Sequence, residues 1–151
     1  MIAPVESLIE ELIAVGADIV ARGLALASCG NISARVDDDT FVVTGSGTWL
    51  DRLTPGDFSV MSLSGTVLDG SQHPSSEWKL HQRSYLVRPD VNAVVHVHPQ
   101  HAVLLNALGH EVRLITLDHA YYVRSVGTTP YYPNGSFLFF SWFFCTHQEG
   151  C

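Results

Sequence analysis

The segment Ala93-Val94-Val95-His96-Val97-His98-Pro99 alternates apolar and imidazole side chains. In an extended chain that alternation puts His96 and His98 on one face, with Val95 and Val97 on the other. Two imidazoles at i and i+2 make half of a metal site. Upstream, Ser75-Ser76-Glu77 sets two hydroxyls and a carboxylate at the expected start of a helix, where backbone N–H groups and the helix dipole favour anions. Glu77 could coordinate an ion or carry a proton beside it; the same acid could also serve only as a helix cap. Gly30-Asn31 and Thr44-Gly45-Ser46 read as two small-residue loops at strand ends. Joined with the serine pair, they could cradle a phosphate through neutral donors.

The elements that must position these residues follow from periodicity. Leu8, Ile9, Leu12, Ile13, Ile19 and Val20 recur at three- and four-residue steps opposite Glu6, Glu10, Glu11 and Asp18, which predicts an amphipathic helix from Val5 to about Gly23. Ile32 to Val36 and Thr40 to Thr44 read as a hairpin around Asp37-Asp38-Asp39, and Phe58 to Leu63 with Thr66 to Leu68 as a second around Ser64-Gly65. Ser76 to Arg88 favours a helix closed by Pro89, because a residue before proline is biased out of the helical region. The His-bearing strand follows, then a helix over Gln100 to Ala107 and strands over Glu111 to Thr116 and Tyr121 to Val126. Without a strict βαβ rhythm, a mixed, mainly antiparallel sheet with helices on its faces fits this order, an α/β fold. His101 falls in the helix pattern and reads as a surface or supporting residue.

Composition narrows the function classes. A chain of 151 residues, 46% hydrophobic and 15% charged, suits one packed domain. Its formal charge of −7 and lack of any basic stripe argue against a nucleic-acid partner. The N-terminus lacks the basic and apolar regions of a secretory signal, and Cys29, Cys145 and Cys151 show no disulfide or zinc-ribbon spacing, so a cytoplasmic protein is expected. The aromatic run from Phe137 to Phe144 falls far short of the ~20 residues that span a bilayer, so no membrane segment is expected.

These ordered motifs carry a resemblance. The opening helix, Ser28-Cys29-Gly30-Asn31-Ile32-Ser33, Thr44-Gly45-Ser46, Ser75-Ser76-Glu77 with Leu80-His81, Ala93 to Pro99, and Pro130-Tyr131-Tyr132-Pro133-Asn134-Gly135-Ser136 together resemble the class II aldolase/adducin family. The chain looks most like its zinc-dependent sugar-phosphate aldolases of the L-fuculose-phosphate type. The resemblance implies a three-layer α-β-α fold, usually assembled as a homotetramer. It also implies Zn²⁺ held by His96, His98 and Glu77, with Glu77 as the acid/base. Asn31, Thr44, Gly45, Ser75 and Ser76 would hold the phosphate of a phosphorylated sugar, which would be cleaved to dihydroxyacetone phosphate and an aldehyde. Epimerases and decarboxylases share the family, but its decarboxylases usually carry Lys directly before the Glu, where this chain has Ser76. A non-catalytic, adducin-like interaction module is the alternative of a different class.

The pattern breaks at one point. The family's third zinc histidine lies in an Asn-His-Gly segment that is absent here; after Ser136 the chain passes into the aromatic run. Residues 1–136 are therefore read as an incomplete family domain and 137–151 as an atypical tail, the product of truncation or a frame shift in a longer parent. His147 does not match the missing ligand in spacing or neighbours. Loss of one of three histidines implies weak metal binding and poor turnover.

Overall fold

The computed structural model describes residues 4–128, so the expectations for the aromatic tail and for His147, Cys145 and Cys151 lie outside the described residues. The described chain divides into two compact units after His98.

The first unit is built on a five-stranded sheet in the order β4-β3-β2-β1-β5, with β1 Gly30–Arg35, β2 Thr40–Thr44, β3 Phe58–Ser62, β4 Val67–Gly70 and β5 Ala93–Val97. Every pairing is antiparallel, so the mixed sheet read from the sequence resolves into a purely antiparallel one in this unit. The two hairpins place β1 to β4 side by side in chain order. Helix α2, Trp78–Val87, then carries the chain to the far edge, where β5 pairs with β1.

Both sheet faces are apolar, which requires cover on both sides. Ile32, Ala34, Val42 and Phe58 pack with Leu12 and Ile19 of helix α1, Val5–Ala21, and with Leu50 and Leu53 of the connection after β2. Phe41, Val43 and Met61 face the other way and pack with Tyr85 of α2. Alternation along β1 and β2 thus feeds two cores, and each fully buried aliphatic or aromatic side chain contributes about 1.5–3 kcal/mol. The expected three-layer α-β-α architecture is the one observed.

Sequence boundaries shift where tertiary pairing overrides local preference. Gly30 and Asn31, read as loop, belong to β1, where they pair with Val97 and His96. Gly30 suits this place: its φ is +140°, and a Cβ would stand 3.1 Å from the His96 carbonyl oxygen. Helix α2 begins at Trp78, two residues later than its pattern suggests, because Ser75 to Glu77 form the turn that leads into it.

In the second unit, α3 covers Gln100–Ala107 as its pattern predicts, and His101 is exposed. The strands expected over Glu111 to Thr116 and Tyr121 to Val126 do not form: the first is irregular, and His119–Val123 is a turn of π-helix. A β-former such as Ile115 or Tyr121 holds a strand only where a neighbouring strand takes up its backbone groups, and among the described residues neither segment has one. No described helix is long and apolar enough to cross a membrane.

Candidate active site

His96 stands opposite Asn31 in the β1–β5 register, on the same sheet face as Val94 and the α2 core. His98 follows just past the strand end, and the two rings converge with their Nε2 atoms 3.2 Å apart. Two nitrogens on a tetrahedral zinc at ~2.05 Å would be about 3.3 Å apart, so this spacing fits one edge of such an ion. Burial, reinforced by His98, lowers the His96 pKa to about 4, which keeps the ring neutral and able to ligate. His96 Nδ1 is buried with no hydrogen-bond partner among the described residues. No group of three His, Cys, Asp or Glu among the described residues is placed to hold one ion. The donors that converge, His96 and His98, therefore fit a metal as a half-site.

Glu77 sits at the N-cap position of α2 and is 8% exposed. Its side chain makes no capping hydrogen bond, so the simple capping role allowed by the sequence is not the one it plays. Burial raises its pKa, partly opposed by the charge of His98, which links the carboxyl electrostatically to the histidine pair. A carboxyl with a raised pKa shares its proton more readily near neutrality, as proton transfer to carbon requires.

The serine pair is fastened to the end of β2. Ser75 N–H donates to the Thr44 carbonyl (2.9 Å), Ser46 N–H donates to the His73 carbonyl (2.8 Å), and Gly45 forms a bridge with Pro74. Ser75 Oγ accepts the Glu77 N–H (3.2 Å), and the Ser75 carbonyl accepts the Trp78 N–H (3.0 Å). Thr44, Gly45, Ser75 and Ser76 are thus drawn together by backbone contacts beside the N-terminus of the ten-residue α2. An open groove of about 540 Å³ lies there, lined by Ser46, Gln72, His73, Pro74, Ser75, Ser76 and Trp78. It contains no Lys or Arg, so an anion in it would rely on N–H groups, hydroxyls and the helix dipole. The Thr44 hydroxyl accepts the Ile32 N–H (3.2 Å), so its first interaction is with β1.

Three buried residues with no role assigned from sequence complete the site. Ser33 Oγ lies 2.7 Å from His81 Nδ1 and 2.6 Å from the Tyr85 hydroxyl, and His81 Nε2 lies 2.5 Å from Asn31 Oδ1. The sequence signal was the spacing of Glu77, His81 and Tyr85, four residues apart along one face of α2.

The family model of the class II aldolase and adducin N-terminal domain matches residues 10–139. The chain belongs to this family. A 3-oxo-tetronate 4-phosphate decarboxylase from Haemophilus influenzae is 33% identical over 84% of this chain and 62% of its own length. A methylthioribulose-1-phosphate dehydratase from Pseudomonas syringae is 34% identical over 76% of this chain and 56% of its own. Among solved structures, the L-fuculose-1-phosphate aldolase from Thermus thermophilus superposes with a TM-score of 0.67 at 34% identity, covering 76% of this chain and 56% of that one. The chain spans about three-fifths of the length of the curated relatives it matches. Family membership and fold agree with the resemblance read from the motifs. The relatives' printed names span aldolase, decarboxylase and dehydratase, so membership of the family does not by itself fix the reaction; dehydration was not among the reactions expected from the motifs.

Proposed function

We propose that this chain carries the catalytic half-site of a metal-dependent lyase that breaks a bond near the carbonyl of a phosphorylated sugar. The specific reaction proposed is L-fuculose-phosphate-like aldol cleavage to dihydroxyacetone phosphate and an aldehyde. The observation that carries it is the convergence of His96 and His98 at 3.2 Å, coupled to a buried Glu77. His96 and His98 would hold Zn²⁺ through Nε2, and when bound the ion supplies Lewis-acid stabilisation of negative charge developing on the carbonyl oxygen. Glu77 moves the proton: in condensation its carboxylate takes one from the carbon beside the ketone, and in cleavage its acid form returns it. Asn31, Ser75 and Ser76, with the backbone at Thr44 and Gly45, hold the phosphate and keep that carbon beside Glu77. Decarboxylation or dehydration would need the same carbanion-like charge at the same place, which is why the relatives' reactions form the second reading. Cytoplasmic location and a family-like homotetramer belong to the same proposal.

The test is zinc content and turnover in one preparation. Purified chain dialysed against zinc is expected to retain metal that His96→Ala and His98→Ala both lose, with cleavage of L-fuculose 1-phosphate weak beside a full-length relative. Zinc content unchanged in both variants would overturn the half-site. Release of carbon dioxide or water from a phosphorylated substrate, without formation of dihydroxyacetone phosphate and an aldehyde, would replace aldolase with the second reading. Unaltered properties in both variants, with no turnover of any substrate, would favour an interaction module.

A further inference from the structure

The hydroxyl of Tyr85, on a residue only 1% exposed, lies 2.6 Å from Ser33 Oγ and otherwise meets the Val94 backbone N–H, which can only donate to it. A buried phenol that donated to nothing would forfeit a hydrogen bond at considerable cost, so its proton goes to Ser33. Ser33 has one proton of its own, and with one side of its oxygen taken by Tyr85 it donates to His81 Nδ1 at 2.7 Å. Nδ1 is then the bare nitrogen of a neutral ring, and the remaining proton sits on Nε2. That N–H donates across 2.5 Å to Asn31 Oδ1.

We propose that Tyr85, Ser33 and His81 form a one-way hydrogen-bond chain that fixes the amide of Asn31 with its oxygen inward and its NH₂ free for the substrate's phosphate. Asn31 faces His96 across the β1–β5 ladder, so the freed donor lies beside the half-site. The polarity matters because an asparagine turned the other way would present its oxygen to an anion. In the reversed chain, Asn31 would donate to Nε2, Nδ1–H to Ser33 and Ser33 to Tyr85, and the phenolic proton would be left buried without an acceptor. One hydroxyl at the far end of the chain therefore sets the face that Asn31 shows. Deep burial, reinforced by His96, independently keeps the His81 ring neutral. Ser33, His81 and Tyr85 are positioning residues, and the anion part of this inference rests on the phosphate reading of Asn31.

Two measurements separate the parts. In ¹⁵N-histidine-labelled chain, with His81 assigned through His81→Gln, the His81 ring is expected to show a bare Nδ1 and a protonated Nε2. A protonated Nδ1 would overturn the proposal whatever the chain binds. Titration with dihydroxyacetone phosphate is expected to show about 10-fold weaker binding for Ser33→Ala, because the ring and the amide can then reverse. His81→Gln, whose amide N–H can replace the Nε2 donor, should stay within about threefold of the parent, and His81→Leu should fall with Ser33→Ala. Parent-like binding by both Ser33→Ala and His81→Leu would overturn the proposal. Failure of the parent chain to bind would count against the phosphate reading, while the ring tautomer would still decide the polarity of the chain.

Discussion

His81 couples the site to pH as well as to geometry. Burial lowers its folded pKa to about 3, well below the ordinary value of 6.5, so the unfolded chain takes up this proton first on acidification. Stability from this group is therefore complete above about pH 6.5 and falls as pH drops toward 3, by at most about 1.4 kcal/mol per pH unit. His96, lowered to about 4, adds to the same slope. Urea midpoints measured from pH 7 to pH 4 should decrease steadily, and His81→Gln should flatten part of that dependence. Equal slopes in the two proteins would show that the ring is not held neutral by burial. The placing of His96 and His98 side by side and of Glu77 at the entry to α2 could be read from the sequence because each stands in a local motif. Asn31 reads locally as loop, since its strand partner His96 lies far along the chain.

At the scale of elements, two contacts hold the layers that carry the site. Gly16 brings α1 against the turn at Leu50–Arg52, and a Cβ there would stand 2.5 Å from the Leu50 carbonyl oxygen. Gly16→Ala should therefore destabilise the fold by about 1–3 kcal/mol despite its better helix propensity, because backbone must move. A midpoint equal to the parent's in chemical denaturation would contradict that packing. On the other face, Arg35 at the end of β1 donates to the carbonyls of Tyr85 (2.8 Å), Val91 (3.0 Å) and Arg88 (3.3 Å), tying the sheet to the end of α2. Its guanidinium also lies over the Tyr85 ring, 4.8 Å from the centroid. Lysine cannot reproduce this fork, so Arg35→Lys should cost about 1–3 kcal/mol and loosen the Tyr85 end of the hydrogen-bond chain. Near-parent stability with an unchanged His81 tautomer would remove Arg35 from that role. Helices and hairpins were legible because periodicity and turn residues are local signals. The two strands expected after Gly109 were not, because propensity cannot report whether a partner strand exists.

For the molecule as a whole, the outer edge of β5 is unpaired among the described residues, and Val95 on that strand is 52% exposed. Open apolar strand edges pair with other chains. Light scattering after size exclusion should show association that grows with concentration, and Val95→Lys should reduce it without loss of fold. A concentration-independent mass in both proteins would show that this edge does not recruit another chain.

The sequence by itself determined the family, the opening helix, the two hairpins, the two imidazoles on one strand face and the acid before α2. All of these are written in residue types at short spacing. Tertiary structure decided that every strand pair in the first unit is antiparallel, that Gly30 and Asn31 belong to β1, and that the Thr44 hydroxyl turns first to the Ile32 N–H. It also joined Ser33 to His81 and Tyr85, 48 and 52 residues away. Local patterns encode which face a residue occupies. Which buried polar groups meet across two faces is fixed only when the sheet register and the seat of α2 bring them within hydrogen-bonding distance, where leaving any one unpaired would be costly.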